Sequence, residues 1–418
     1  MTSPDTAADL IVIWGRGRVS ALGTAKEWNE PLTSPFSTHP NKLPVAALPV
    51  AAEEALAELR ASHSAYRQLD RTVLLALLAS RQATAAAGWA PESTPNPSTE
   101  PATRNQKPET RNQLAVSIGS SRGATGRLEQ FHAEFLSEGS VPAAASPLTT
   151  LGNVASWVAF DAGSTGGAAL SHSSTCSSAF QALGNAVAWL RAGMAKRFLA
   201  GGTEAPLTDF TLAQMQAIGI YSPLAATDWP CRPGAGRPST FVLGEGAAIF
   251  ALERLSGAAW AEAGRPELPV LEGVGFGFEA LGSKTGLSPD GQHFQQAMRH
   301  ALEQARALPA HIDAVVLHSP GTPAGDAAER AALRAIFGEN LPPLLSNKWL
   351  VGHTLGASAA LSLDFALYVL ETQQWPVARF ASDLAAASPK PIRRILVNAA
   401  GFGGNAASVV VALLPDQP

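Results

Sequence analysis

The sequence predicts a layered α/β fold built from two duplicated halves. Short apolar segments typical of strands alternate with longer segments of helical periodicity, the order found in layered α/β proteins. Two distant segments, 240–253 and 394–414, share one plan: an apolar strand, a glycine-rich turn and a second apolar strand. One closes the first part of the chain and the other closes the second, which indicates an internal duplication.

Composition excludes several classes of protein. The chain has 418 residues, enough for a large core, and is 46% hydrophobic and only 15% charged. Its net charge of −4 provides no basic patch for nucleic acid. Its two cysteines cannot form a disulfide framework, its apolar runs are too short to cross a bilayer, and its first residues lack the pattern of a signal peptide. We therefore expect a cytoplasmic protein without membrane insertion.

The first half begins with a short buried strand at 10–14, followed by glycines. Residues 69–89 have the pattern of a helix. Residues 90–113 are rich in Pro, Ser, Thr and Asn and contain TRNQ twice, so we interpret them as a surface insertion outside the core. A strand resumes at 114–120.

Cys176 lies between a predicted strand and a predicted helix. The strand pattern at 168–175 runs into the cysteine, and a further strand at 197–205 ends in glycines. Behind the cysteine, five apolar residues spaced three and four apart define one stripe of a helix: Phe180, Leu183, Val187, Leu190 and Met194.

A helix N-terminus at Cys176 would favour the thiolate, which is the form of cysteine that acts as a nucleophile. Local sequence leaves a buried structural thiol open as the alternative. Cys231, in WPCRPG, has no such helix behind it, and we expect a structural role there.

Two histidines occupy turns in the second half. His318 ends the apolar strand 314–318 and precedes a Pro/Gly turn, a place where α/β folds carry functional side chains. His353 lies between a glycine and a small-residue run that leads into a long helix. Asp326 and Glu329 have the spacing of a capping pair at a helix N-terminus. Each histidine taken alone also fits a structural role.

Four motifs together resemble the β-ketoacyl synthases of the thiolase superfamily. They are STCSSAF, LHSPGTPAGDAAE, SNKWLVGHTLGAS and NAAGFGGNAAS, at 174–180, 317–329, 346–358 and 398–408. Segments 12–24 and 231–253 are also similar, so the resemblance runs from about residue 10 to residue 414 outside the insertion. The GHTLGA motif resembles the two-histidine elongating synthases, because the initiating synthases carry asparagine in place of that histidine.

The resemblance implies a thiolase-like fold with α-β-α-β-α layers. An N-terminal half, 1–254, would carry the nucleophilic cysteine, and a C-terminal half, 255–418, would carry both histidines. The implied reaction is a decarboxylative Claisen condensation between carrier-bound acyl and malonyl groups. The implied partner is an acyl carrier protein whose phosphopantetheine carries the substrates, with no metal or other cofactor.

The resemblance also assigns roles to single residues. Cys176 would take the acyl chain as a thioester, and His318 and His353 would stabilise the enolate that malonyl decarboxylation produces. Lys348 matches the family lysine that organises the histidine region. The backbone N–H groups of Cys176 and Phe402 would form the oxyanion hole, and Phe402 would also gate the acyl pocket.

Four positions depart from the family pattern. His318 is followed by Ser-Pro-Gly-Thr rather than Gly-Thr-x-Thr, and GAGRPST replaces the acidic stretch that commonly follows Cys-Arg-Pro. The glutamate usual in the helix after the second histidine aligns with Ser362, while Asp364 lies two positions away. Ala400 stands where an aromatic residue is usual, which predicts a roomier acyl pocket. These departures favour a specialised pathway of polyketide or aryl-polyene type over housekeeping fatty-acid synthesis.

The family also implies a dimer, formed when the strand 168–175 pairs across a two-fold axis. The partner would be a second copy or a ketosynthase-like, chain-length-factor subunit. His172 lies in that strand, either satisfied at the interface or lining a pocket near the partner.

Two alternative functions remain open. The chain could be a non-catalytic subunit of the chain-length-factor type, although such subunits usually lack the cysteine. It could also be a thiolase acting on coenzyme A esters, which would be expected to use a second cysteine near the turn in 398–408, where this sequence has none.

Overall fold

The computed structural model describes residues 9–89, 114–151, 153–264, 266–280 and 287–414. Ten strands within these ranges form one mixed sheet, and two short strands form a separate ribbon. In chain order the strands are β1 Leu10–Val19, β2 Ser37–Thr38, β3 Pro44–Val45, β4 Leu114–Gly119, β5 Ala169–His172, β6 Arg197–Glu204, β7 Gly246–Leu255, β8 Leu268–Phe278, β9 Ala314–Val316, β10 Leu344–Leu345, β11 Arg394–Gly401 and β12 Asn405–Leu414.

The helices of the described ranges alternate with these strands, as the sequence predicts. In chain order they are α1 Val50–Ser62, α2 Arg71–Ala86, α3 Thr125–Glu138, α4 Ala145–Thr149, α5 Asn153–Asp161, α6 Ser178–Arg191, α7 Asp209–Ala217, α8 Gly257–Glu262, α9 Gln292–Gln304, α10 Pro323–Phe337, α11 Lys348–Val351 and α12 Ser358–Thr372. Short 3₁₀ turns occur at Ser64–Gln68, Ala226–Asp228, Pro309–His311 and Leu355–Ala357.

The sheet repeats one topology twice. Its order is β10-β9-β11-β12-β8-β1-β7-β6-β4-β5, so the two halves meet where β8 pairs with β1. If the five strands of each half are numbered along the chain, both halves have the order 3-2-4-5-1. In both, the two outer pairings are parallel and the two inner ones are antiparallel. The predicted duplication is therefore confirmed.

The two segments that suggested this duplication are not equivalent throughout. Residues 394–414 form the predicted hairpin of β11 and β12. In 240–253 only the part from Gly246 onward is a strand, and Phe241, Leu243 and Gly244 make isolated bridges instead. One of these bridges joins Leu243 to His353. By strand order, the counterpart of β11 is β6 rather than the start of 240–253.

The layers follow from which helices contact which strands. Helices α6 and α12 contact strands of both halves, so they form a central layer between them. Helix α2 packs on β1, β6 and β7 on one outer side, and α9 packs on β8, β11 and β12 on the other. The result is the predicted α-β-α-β-α arrangement. The predicted boundary between residues 254 and 255 remains a prediction; β7 ends at Leu255 and β8 begins at Leu268.

Two local predictions differ from the structure. Strand β1 continues to Val19 instead of ending before the glycines. The glycines are part of the strand because they let α2 pack closely against it: a Cβ on Gly17 would lie 2.1 Å from the Ala79 carbonyl oxygen. Met194 does not lie on the buried stripe of α6, because the helix ends at Arg191 and Met194 is exposed. The predicted insertion at 90–113 lies outside the described residues.

Contrary to the expectation that the apolar runs are too short, the segment Leu355–Thr372 is long and apolar enough to cross a membrane, the only such helix in the described ranges. It contains α12, which is buried almost throughout its length. Its apolarity is explained by its central place between the two halves of the sheet, where it packs on strands from both.

Candidate active site

Cys176 lies in the turn between β5 and α6. The helix begins at Ser178, two residues later than the cysteine that was expected to open it, with Ser177 as its N-cap residue. The preceding residue, Thr175, has φ of 54°, a conformation that is unfavourable for a β-branched residue. Such backbone outliers concentrate at functional sites, and the next residue, Cys176, lines a cavity.

Burial dominates the acidity of this thiol. Cys176 is 6% exposed, and its pKa is raised to about 12, first by burial and then by the nearby Glu204 carboxylate. Lys348 acts in the opposite direction. The sequence suggested that a helix N-terminus would favour the thiolate, but burial outweighs that effect and the thiol is protonated at neutral pH.

The cavity beside Cys176 has a volume of about 270 Å³ and apolar walls. It brings together the three residues that the family resemblance assigned to catalysis, Cys176, His318 and His353. Ala400 and Phe402 also line it. Its other lining residues are Met215, Ile218, Ile220, Phe241, Leu287, Phe294, Pro320, Thr322, Ala324, Gly325, Leu355 and Gly401.

The two histidine rings pack edge to face in the wall of this cavity. The centroids of the His318 and His353 rings are 5.3 Å apart and the rings are nearly perpendicular. Burial lowers the pKa of His353 to about 3, and burial followed by the charge of His353 lowers the pKa of His318 well below its usual range. Both imidazoles are therefore neutral at pH 7, and each carries one N–H donor. The Nδ1 atom of His353 lies 3.1 Å from Ser358 Oγ.

Lys348 lies next to the cavity but does not line it. Its Nζ donates to Ser362 Oγ at 2.8 Å and to Asn347 Oδ1 at 3.3 Å. Burial lowers the pKa of Lys348 to about 8, against an opposing effect of Glu329. Ser362, the residue that aligns with the family glutamate, therefore contacts Lys348. Asp364 does not replace that glutamate, because it pairs with Arg16 and Arg18 instead.

Asp326 and Glu329 do not cap a helix N-terminus, contrary to the prediction. Helix α10 begins three residues before Asp326, so Asp326 lies in its first turn and Glu329 in its second, and neither is the N-cap residue, which is Thr322. Glu329 accepts the backbone N–H groups of His318 and Ser319, each at 2.8 Å, and Asp326 accepts that of Gly321 at 3.2 Å. The pair therefore fixes the turn that carries His318. β9 ends at Val316, so His318 belongs to that turn rather than to the strand.

The glycine-rich turn after β11 approaches Cys176 closely. A Cβ on Gly401 would lie 2.9 Å from the Cys176 backbone nitrogen and closer still to Thr175 Oγ1, so only glycine fits there. The turn thereby places the backbone at 401–402 beside the cysteine. Phe402 is 41% exposed at the cavity, whereas Ala400 is buried.

Sequence reasoning missed Glu204, a fully buried carboxylate at the end of β6. It accepts N–H groups from Ser121 at 2.6 Å, Arg122 at 3.1 Å and Gly356 at 2.9 Å. Burial raises the pKa of Glu204 to about 7 against these hydrogen bonds. Glu204 thereby joins the turn after β4 to the turn after His353. The sequence signal that could have identified it is a charged residue at the end of an apolar strand.

The structure separates the other two candidate residues from this cavity. Cys231 is fully buried in a small apolar cluster and does not line the cavity. His172 lies in β5 at the edge of the sheet, with its Nε2 atom 2.9 Å from Asn185 Nδ2. Burial lowers the pKa of His172. Its predicted place at a subunit interface remains a prediction.

Two family models show to which protein family this chain belongs. The N-terminal domain model of the β-ketoacyl synthases matches residues 28–258, and the C-terminal domain model matches residues 268–379. The chain belongs to the β-ketoacyl synthase family.

Two relatives illustrate the range of this β-ketoacyl synthase family. The chain is 31% identical to the tetracenomycin polyketide synthase ketoacyl synthase alpha subunit of Streptomyces glaucescens, over 72% of this chain and 69% of that protein. It is 27% identical to 3-oxoacyl-[acyl-carrier-protein] synthase 2 of Staphylococcus aureus, over 82% of this chain and 84% of the other. The predicted family is confirmed, and its relatives include a polyketide synthase subunit and a 3-oxoacyl-[acyl-carrier-protein] synthase.

Solved structures confirm the thiolase-like ketosynthase fold. The ishigamide ketosynthase/chain length factor superposes with a TM-score of 0.82 at 20% identity, covering 98% of this chain and 100% of that one. A type II polyketide ketosynthase, solved in complex with its acyl-carrier protein and bound to the hexaketide, superposes with a TM-score of 0.77 at 21% identity, covering 97% and 99%.

Proposed function

We propose that the chain is a β-ketoacyl-acyl carrier protein synthase of the elongating two-histidine type. It condenses an acyl chain held on Cys176 with malonyl carrier protein and releases carbon dioxide. One observation carries the proposal: a cysteine thiol and two neutral imidazoles face the same apolar cavity. An apolar cavity suits an acyl chain, and N–H donors in it suit developing negative charge.

The first step loads the enzyme. The Cys176 sulfur attacks the carbonyl carbon of the acyl thioester, a new C–S bond forms, and the carrier thiol leaves with the proton that the cysteine gives up. The carbonyl oxygen becomes negative in the tetrahedral intermediate. The N–H groups of Cys176 and Phe402 are the proposed donors to that oxygen, since the Gly401 turn lies against the Cys176 nitrogen.

The second step uses the histidines. Malonyl carrier protein loses carbon dioxide, and the electron pair of the broken C–C bond forms an enolate. His318 and His353 donate one N–H each to its oxygen, which a neutral imidazole does without giving up a proton. The enolate carbon then attacks the acyl thioester and Cys176 leaves as a thiolate. Lys348 adds positive charge beside the histidines, and Phe402 gates the cavity.

The remaining assignments rest on this reaction. The substrates are carried on the phosphopantetheine of an acyl carrier protein, and the proposed reaction uses no metal or other cofactor. The proposed location of the protein is the cytoplasm. Dimerisation through β5 is supported by its place at one end of the sheet, where β4 is its only partner among the described strands. The partner is a second copy or a chain-length-factor-type subunit.

The pathway is a specialised one, of polyketide, aryl-polyene or fatty-acid-like type. The similarity to the tetracenomycin synthase subunit supports the polyketide reading. The small side chain of Ala400 in the cavity wall supports a substrate larger than a short saturated acyl chain.

A non-catalytic role as a chain-length-factor-type subunit is the second candidate. Two observations favour it: the similarity to the ishigamide ketosynthase/chain length factor, and a resting thiol whose pKa is raised to about 12. Against it stands the complete set of Cys176, His318 and His353 in one cavity. The catalytic proposal is therefore preferred.

Product analysis tests the proposal. The protein is incubated with an acyl carrier protein loaded with an acyl group and with malonyl carrier protein, and the carrier products are analysed by mass spectrometry. We expect a β-ketoacyl product two carbons longer than the acyl donor, absent in Cys176→Ala. If no acyl donor gives an extended product, with this chain alone or with a co-encoded ketosynthase, catalysis is contradicted. If extension occurs only when this chain accompanies an active ketosynthase, and Cys176→Ala leaves it unchanged, the chain-length-factor role is supported.

A further inference from the structure

Within the turn that carries His318, the backbone at His318 and Ser319 is held by one buried carboxylate. Glu329 is fully buried, and its two oxygens accept the N–H groups of His318 and Ser319, the Ser319 hydroxyl at 2.6 Å and the Asn398 side-chain amide at 3.1 Å. All four contacts are donors, which is the environment a carboxylate requires. A buried negative charge is costly unless a cation compensates it.

Arg330, the next residue of α10, is that cation. It is 7% exposed, and its Nη1 atom lies 3.8 Å from Glu329 Oε2. The same nitrogen donates to the Ser319 hydroxyl oxygen, and that hydroxyl donates to Glu329. The hydroxyl therefore links the guanidinium to the carboxylate in one directed chain of hydrogen bonds.

Asp383 fixes the other side of the guanidinium. Its two carboxylate oxygens accept from Arg330 Nε at 2.8 Å and Nη2 at 2.7 Å, a bidentate pair. The ion pair lies against Gly234, where a Cβ would come within 2.3 Å of Asp383 Oδ1. Arg330 is thus held between the His318 turn on one side and the segments around Asp383 and Gly234 on the other.

Lys348 does not compensate Glu329 by direct contact. Within the described ranges, its Nζ contacts only the neutral groups of Ser362 and Asn347, and no carboxylate lies within 4 Å of it. Arg330 contacts the His318 turn directly through Ser319, whereas Lys348 acts on Glu329 and His318 at longer range. This arrangement involves Ser319, one of the positions at which the sequence departs from the family pattern.

We propose that Arg330, acting through Ser319 and Glu329 and anchored by Asp383, is a positioning residue that holds the His318 imidazole for decarboxylation. The inference rests on the proposed function, because it assigns His318 to the decarboxylation step. Arg330 does not line the cavity, so its removal should affect the placement of His318 rather than the binding of the acyl chain or the chemistry of Cys176.

The test compares Arg330→Met with Arg334→Met, an exposed arginine one turn later on the same helix. For Arg330→Met, kcat for malonyl decarboxylation should fall on the order of 10- to 100-fold, the scale on which misplacing a catalytic group acts. The KM for malonyl carrier protein and the rate of Cys176 acylation should change by no more than about twofold. Arg334→Met should leave all three unchanged. Arg330→Lys should recover part of the loss, and Asp383→Asn should reproduce it more weakly.

Two further measurements keep the inference open to refutation. Ser319→Gly removes the linking hydroxyl, so combining it with Arg330→Met should cost no more than the worse single variant. Amide hydrogen exchange at His318 and Ser319 should be faster in Arg330→Met and unchanged in Arg334→Met, whether or not the chain is catalytic. Unchanged exchange, or equal losses in acylation and decarboxylation, would overturn the positioning role. If the wild-type protein shows no decarboxylation, but amide exchange still differs between Arg330→Met and Arg334→Met as expected, only the proposed function is refuted.

Discussion

Replacing either cavity histidine with alanine should separate the two half-reactions. Acyl loading of Cys176 develops negative charge at an oxygen held by backbone N–H groups, whereas decarboxylation develops it at the malonyl enolate. The neutral imidazoles of His318 and His353, 5.3 Å apart, provide one N–H donor each for that enolate. Removing one such donor costs about 2.7–4 kcal/mol, which corresponds to a loss of about 10² to 10³ in rate.

We therefore expect His318→Ala and His353→Ala each to slow decarboxylation by about 10² to 10³. Loading should stay within about threefold of wild type, because no imidazole donor is needed for it. Single-turnover experiments measure labelled carbon dioxide released from malonyl carrier protein and, separately, the intact mass of acylated protein. His300→Ala is the matched control, since His300 packs against Phe276 outside the cavity. Loading that collapses in both variants while decarboxylation persists would refute the assignment.

Three further predictions follow from the same cavity. Iodoacetamide should label Cys176 in preference to Cys231, and Cys231→Ala should retain condensation; peptide mapping that finds the label mainly on Cys231 would reverse the assignment. Ala400→Phe should shorten the longest accepted acyl chain and spare short chains, as measured over a ladder of acyl lengths; an equal loss at every length would place the effect on the catalytic turn instead. Because burial lowers the pKa of His318 and His353, the unfolded state binds more protons below about pH 6.5, so the free energy of unfolding should fall as the pH decreases toward 3. Urea denaturation across this range should show a smaller decrease for His353→Gln than for wild type.

The sequence predicted the fold because the two periodicities of its apolar residues are strong. The strands at 114–120 and 197–205 and the helix at 69–89 lie within one to three residues of their predicted bounds. Predictions failed where tertiary contacts override local pattern. Strand β1 runs through Gly15 and Gly17 because glycine lets the backbone of α2 approach, a contact that no local window contains.

The motifs predicted which cysteine and histidines would share the cavity, but not Glu204 or the electrostatics of the site. Cys176, His318 and His353 meet in one cavity as the motifs implied. The helix after Cys176 was expected to lower the pKa of the thiol, but burial raises it. Local sequence does not show this, because the depth of burial depends on residues far apart in the chain. The spacing of Glu329 predicts a capping residue, but its contacts with His318 and Ser319 exist only once α10 packs against the turn, which no local pattern shows.

Intact-mass measurement followed by peptide mapping, after incubation with a panel of acyl carrier proteins, tests the central claim most directly. We expect a mass increase equal to one acyl group, located on Cys176 and absent in Cys176→Ala. Addition of malonyl carrier protein should remove this acyl group and release carbon dioxide. An acyl group located elsewhere, or one on Cys176 that malonyl carrier protein fails to remove while carbon dioxide is released, would contradict this claim.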